Sequence, residues 1–426
     1  MPRILTASSC LTCRRRKVKC DEEQPVCQRC ARAGRYCDRN HDIQFRHHTL
    51  TDEHTSNSPL DLDPKDALRE AEIARLFHHY VSNLASWYDL SDSVRHFSKH
   101  VPYEALSQPL LFNALIAFAA IHLSRTKVPS LQARAERHHA RCVQLLIDLS
   151  SEKVKALGGI ALAAVCLLRS YEILAEDFDP NRHLSGAYAL AAGQGLDLST
   201  PSILRAGFFN YLREDITFGL ITRQPLKLDS KRLDIEYDPV TDEDQLNMAT
   251  LHLARIVNAA FGGWFTVENS HAFESRLEQW HDSLPAHFRP YHDSVEGSGS
   301  VFPTVRMLAE CHASVAHYYL VAKSIVAMHQ AEDASAQASL HCWAVRLCGI
   351  AFSYDTPAVI VNWFGPVSYC GRYLQSESLQ TDLVRKLQSY RRETGWPVQR
   401  FVDDLKSHWA GGSRQFTTYH LGANTE

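Results

Sequence analysis

Six cysteines stand at Cys10, Cys13, Cys20, Cys27, Cys30 and Cys37, a spacing of C-x₂-C-x₆-C-x₆-C-x₂-C-x₆-C. The two halves share one internal spacing, so the segment is a small two-fold repeat. Thiolates are strong ligands for zinc, and tetrahedral zinc takes four of them. Six thiolates fall short of the eight that two separate ions need. The shortfall closes if two sulfurs each bridge both metals. By the symmetry of the repeat, the bridges are the first cysteine of each half, Cys10 and Cys27. One ion then adds Cys13 and Cys20, the other Cys30 and Cys37, which predicts two Zn²⁺ per chain. Clustered thiols without a secretory signal favour metal over a disulfide knot.

Arg14-Arg15-Arg16-Lys17-Val18-Lys19 lies between the second and third ligands. Residues 1–40 hold ten Lys/Arg against four acids, a charge of +6, which leaves residues 41–426 at −9 within a net −3. A basic head on an acidic body is the charge pattern of a tethered nucleic-acid binder. The elements that position these residues are two short helices. One runs from Leu11 to about Lys17 and carries the basic run; the other runs from about Gln28 to Ala33. Gly34 is placed for the left-handed position after the second helix, and Pro25 turns the chain between the halves. So small a unit has almost no apolar core, so bound metal must supply its stability, about 10–16 kcal/mol for structural zinc in small peptides.

The segment resembles the fungal Zn₂Cys₆ binuclear-cluster DNA-binding domain, on all six cysteines, Pro25 and the basic run. The resemblance implies double-stranded DNA as the partner. It places the first helix in the major groove, where the lysine three residues before the third cysteine, Lys17 here, reads a CGG triplet. Guanine O6 and N7 are paired acceptors that such a side chain satisfies. Arg16 falls where the family often has a second basic contact, while Arg14 and Lys19 would hold phosphates and fix register. Arg15 replaces an apolar residue sometimes found there, and its role stays open. One cluster covers about three base pairs, so the family expectation is a homodimer on two half-sites. The apolar stripes 73–87 and 131–149 are too short to be coiled coils.

From Asp38 to Lys65 the composition turns polar, and residues 41–65 are expected to be a flexible linker after a domain at 1–40. From Asp66 the pattern is helical. Ile73, Phe77, Tyr80, Leu84 and Trp87 recur at helical spacing, as do Leu131, Ala135, His138, Cys142, Leu145 and Leu149. Further windows cover about 110–124, 158–175, 202–222, 247–261, 303–330, 335–353 and 378–393. The fold class expected is a zinc-stapled two-helix module followed by a large all-α domain, 66–426, built as a stacked helical bundle. Apolar runs 110–123 and 156–168 are short for a bilayer and read as core helices, so no membrane partner is expected.

The body resembles the regulatory domain of fungal transcription factors, on Leu168-Arg169-Ser170-Tyr171-Glu172, Asp179-Pro180-Asn181-Arg182-His183-Leu184 and Phe208-Phe209-Asn210-Tyr211-Leu212-Arg213-Glu214-Asp215. It implies a nuclear regulator of RNA polymerase II transcription, an activator of a metabolic or secondary-metabolite pathway. The transcription machinery and a small-molecule effector are its implied partners. Metalloprotease, hydrolase, P-loop and dinucleotide motifs are absent, so no catalytic or organic-cofactor residues are assigned and no enzyme is expected. Adjacent pairs His78-His79 and His138-His139 diverge on a helix and make poor metal sites. Asp234 to Asp244 holds six acids and reads as a solvated loop. Cys342 and Cys348 are a redox-sensor candidate. A zinc-stapled interaction module without its own operator, and an enzyme with a DNA-targeting head, remain as alternatives.

Overall fold

A helix that is apolar on every side has to sit in the middle of its domain. In the computed structural model, Pro109–Thr126 is such a helix, with residues 110–124 all buried. The structure describes residues 12, 13, 16, 18, 20, 21, 27–33, 35 and 37 of an N-terminal unit. In a second, larger unit it describes residues 63–149, 157, 159–175, 198–228, 233, 235, 237–294, 301–330 and 334–411. Most of the expected linker, and the Asp179–Leu184 motif, lie outside the described residues.

The small unit contains α1 (Gln28–Arg32). The large unit begins with α2 (Pro64–Ala67) and α3 (Ala71–His79), which runs on through a π-helical turn (Tyr80–Leu84) and a 3₁₀ turn (Ala85–Tyr88). Next come α4 (His96–Lys99), α5 (Val101–Ala105), α6 (Pro109–Thr126), α7 (Gln132–Ile147), α8 (Ile160–Ala175), α9 (Ile203–Thr222), α10 (Asp242–Phe261) and α11 (Val267–Ser283). Strands β1 (His292–Ser294) and β2 (Thr304–Arg306) form an antiparallel pair, with Asp293 opposite Val305. Helices α12 (Glu310–Gln330), α13 (Ala334–Phe352), α14 (Pro357–Cys370), α15 (Glu377–Thr394) and α16 (Gln399–Trp409) complete the described chain.

Helix α6 packs on α7 and α8, α8 on α9, and α9 on α10 and α14. Helix α12 is covered by α10, α11, α13 and α14. The result is a stack of helices around α6, α8, α9, α12 and α14. Trp363 of α14 is fully buried and meets Phe352 and Tyr390 edge-on at 5.8 and 5.3 Å. Helix α6 is long and apolar enough to cross a membrane by length and composition alone. Its burial on all sides makes it the core helix expected of 110–123.

A polar seam crosses this core at two of the motif segments. Tyr88 donates to Ser170 Oγ at 2.6 Å, Asn210 donates to the Tyr88 carbonyl at 2.9 Å, and Arg213 donates to Ser91 Oγ at 2.6 Å. Arg169 approaches Glu214 at 3.2 Å and Glu172 at 3.6 Å. Burial pushes the Glu214 carboxyl up to about 7, opposed by the Arg169 charge. The motif residues therefore specify how α8 meets α9.

Two expectations need correction. The window 303–330 is not one helix: residues 304–306 pair as a strand, and the helix starts at Glu310. The body is thus the mostly helical domain expected, with one small hairpin among the described residues. Asp234–Asp244 is not simply a solvated loop. Asp242 to Asp244 open α10, and Thr241 and Asp244 form a reciprocal capping box. Asp244 is buried, accepts from Tyr237 at 2.7 Å and is paired with Arg205.

Candidate metal centre and nucleic-acid interface

Helix α1 is too short to be stable alone, so its ends must be held from outside. Cys27 is its N-cap, with Sγ accepting from the Cys30 amide at 3.4 Å. The next two amides, of Gln28 and Arg29, both donate to the Asp21 carboxylate at 2.8 and 3.0 Å. Cys30 then ends up inside, on the face opposite Arg29 and Arg32. In the first half, Thr12 and Cys13 are helical. The two halves close alike: Val18 donates to the Cys13 carbonyl at 3.1 Å, and Arg35 donates to the Cys30 carbonyl at 3.0 Å. These bonds stand seventeen residues apart, which is the repeat of the cysteine spacing.

Cys13, Cys20, Cys27 and Cys30 are all buried and pack together, with Val18 and Cys37 against them. Cys13 Sγ lies 3.7 Å from Cys27 Sγ and 4.0 Å from Cys30 Sγ. A disulfide would need about 2.05 Å. Two sulfurs at about 2.3 Å from one tetrahedral zinc would be about 3.8 Å apart. The donor set and its spacing therefore fit zinc. Cys37 Sγ accepts from the Cys27 amide at 3.4 Å, which brings the last cysteine to the same centre. Cys10 lies outside the described residues.

Around the thiols the charge is outside. Arg16, Arg29, Arg32 and Arg35 are exposed, while the cysteines face inward. Arg14, Arg15, Lys17 and Lys19 lie outside the described residues. Sequence reasoning missed Asp21. Its signal was an acid directly after the third cysteine, seven residues before a helix N-terminus.

Residues 8–46 match the fungal Zn(2)-Cys(6) binuclear cluster domain, and residues 75–212 match the fungal specific transcription factor domain. Together the two matched domains take in less than half of the chain. Both descriptions are of transcription-factor domains rather than of enzymes, and the first is that of a zinc cluster. Among similar proteins is the Zn(2)-C6 fungal-type transcription factor afumD of Aspergillus fumigatus, 31% identical over 150 residues, covering 32% of this chain and 40% of that one. The transcription activator AMTR1 of Alternaria alternata is 58% identical over 40 residues, 9% of this chain and 5% of its own. The aspercryptin biosynthesis cluster-specific transcription regulator atnN of Emericella nidulans is 61% identical over 31 residues, 7% of this chain and 5% of its own. The chain therefore covers two fifths or less of the length of these relatives. No solved structure matches it.

Other clusters in this chain have structural roles. The adjacent histidines point apart: His138 Nδ1 meets Asn113 Oδ1 at 2.8 Å, and His139 stacks on Tyr171 at 4.2 Å. His79 instead reaches His122, Nε2 to Nδ1, at 3.0 Å, and burial lowers both imidazoles, to about 4 and about 3. Cys348 is buried on α13 while Cys342 is exposed, so the redox pair of the sequence reading does not come together.

Proposed function

We propose that this chain is a sequence-specific DNA-binding regulator of RNA polymerase II transcription, reading CGG-type triplets through a cluster of two zinc ions. In this reading Cys10 and Cys27 bridge the ions, Cys13 and Cys20 complete one, and Cys30 and Cys37 the other. Lys17 reads the guanines with Arg16 beside it, Arg14 and Lys19 hold phosphates, and Arg15 supplements them. The observation that carries the reading is the segregation of the small unit, with thiols converged inside and arginines displayed outside. Phosphate neutralisation dominates protein–DNA affinity, and residues 1–40 at +6 are the part equipped for it.

Two copies acting as a homodimer would give the specificity that one triplet lacks. The helical body then serves recruitment of the transcription machinery and sensing of a small-molecule effector. The name of atnN, a regulator specific to a biosynthesis cluster, supports activation of a secondary-metabolite pathway as the biological role. Selection of bound duplexes from a random pool by the full chain tests the reading. Enriched CGG triplets at a fixed spacing are expected. A pool with no enriched triplet would leave the chain as a zinc-stapled interaction protein.

A further inference from the structure

Far along the sequence from the thiol cluster, three elements bring a carboxylate and two imidazoles together. Asp242 is the first residue of α10, His287 lies in the 3₁₀ turn Ala286–Phe288, and His312 is the third residue of α12. His287 Nε2 stands 2.9 Å from Asp242 Oδ1, and His312 Nε2 stands 2.8 Å from Asp242 Oδ2. One ligand atom from each residue falls within a common 4.8 Å. We propose that Asp242, His287 and His312 form a binding site for a divalent cation of the zinc class, distinct from the cysteine cluster.

Two imidazole nitrogens and one carboxylate oxygen are a recurrent donor set for zinc, leaving a fourth position for water. Donors at about 2.0–2.1 Å from a tetrahedral ion lie about 3.3 Å apart. The carboxylate–imidazole distances here are about half an ångström shorter, a change that small side-chain rotations supply. The donors are already aimed. The capping box of Thr241 and Asp244 fixes the start of α10, so Asp242 has little freedom. The Phe288 ring packs on His312 with centroids 4.1 Å apart, and His312 is 2% exposed. Asp242 and His287 are each about two-fifths exposed, so an ion has a path in.

Ligation needs Nε2 of each ring as a lone-pair donor, which moves the ring proton to Nδ1. His312 Nδ1 is buried and has no hydrogen-bond partner among the described residues. Without an ion, the contact to the Asp242 carboxylate keeps the His312 proton on Nε2, and an ion must displace it. A bound ion would tie the segment after α11 to the N-termini of α10 and α12. Its role is a staple within the regulatory body.

The test is zinc content of the full chain, equilibrated with buffered free Zn²⁺ and measured by atomic emission. His287→Ala and Asp242→Asn should each lower the content by one ion per chain, and added Zn²⁺ should raise the melting temperature of the parent but not of either variant. The difference does not depend on how many ions the cysteine cluster holds. His287 is on the surface, so its replacement leaves the fold intact. His271→Ala removes an exposed imidazole elsewhere and should leave the content unchanged. Equal zinc in parent, His287→Ala and Asp242→Asn overturns the proposal and leaves a carboxylate that merely accepts from two histidines. An equal loss in His271→Ala overturns it too, as non-specific surface binding.

Discussion

Cys27 sits where the two halves of the zinc unit meet: its sulfur touches Cys13 of the first half and caps the helix that carries Cys30. A sulfur shared by two ions matters to both, whereas a terminal ligand matters to one. Cys27→Ala or Cys10→Ala should therefore release both ions from the cluster under a chelator, and Cys13→Ala should release one ion first. Zinc release followed with a colorimetric chelator distinguishes these outcomes, and equal release from all three variants would contradict bridging. The same scale separates reading from holding. Lys17→Ala should cost about 1–3 kcal/mol, concentrated at the guanines, and flatten discrimination among triplets. Arg14→Ala or Lys19→Ala should weaken every duplex alike and reduce the salt slope by about one unit. Binding titrations on CGG and variant duplexes at two salt concentrations give both numbers. If Lys17→Ala keeps the triplet preference, Arg16 is the next residue to test.

At the scale of elements, what was legible followed from periodicity and spacing. Helices α6, α8, α9 and α13 came through because long apolar runs bounded by Pro or Gly admit few other structures. Helix α11 did not, because its polar sequence buries only Ser270 and Leu277. Helix α14 was hidden by Pro357 and Pro366: the first opens the helix and the second lies inside it. A proline in the sequence reads as a break between elements, and only the fold shows which of them a helix absorbs. The cysteine spacing made the convergence of Cys13, Cys20, Cys27, Cys30 and Cys37 legible, but not the Asp21 clamp, because a single acid carries no periodicity. Two amides of α1 rest on that carboxylate, and a lost helix cap costs about 1 kcal/mol. Asp21→Ala should thus loosen Cys27 and Cys30 together, speeding chelator-driven zinc loss several-fold. Asp21→Asn should recover part of the loss, because an amide oxygen still accepts one bond. Stopped-flow zinc release from the two variants checks the order, and a rate equal to the parent's for Asp21→Ala would show that the metal alone holds α1.

The whole molecule divides its charge, +6 in the first forty residues and −9 in the rest, and it also hides several titratable groups inside that acidic body. His122 of α6, His138 of α7 and His317 of α12 are buried. Burial, the main cause in each case, lowers their imidazoles to about 3, about 4 and about 3, with Arg134 and Arg137 adding to the effect on His138. In the unfolded chain they titrate near the ordinary value of about 6.5. The folded state therefore binds fewer protons than the unfolded state in the window between. Above about pH 6.5 both states hold these rings neutral, and the stability is complete. As pH falls from there toward 4, the unfolded chain takes up protons that the fold refuses, and stability drops. Each such group adds up to about 1.4 kcal/mol per pH unit in mid-window. His79 and His252, lowered to about 4 mainly by burial, act in the same direction, while Asp89 and Glu214, raised by burial to about 6 and about 7, oppose them. The helical body should thus lose stability on mild acidification, because the lowered imidazoles outnumber the raised carboxyls. Chemical denaturation of the full chain at pH 7, 6 and 5, followed by far-UV circular dichroism, measures the slope. His317→Leu removes one of these groups at a site where Nε2 has no partner among the described residues, and should reduce the slope by up to about 1.4 kcal/mol per pH unit. A parent protein equally stable at pH 7 and pH 5 would mean that these rings reach water in the folded state.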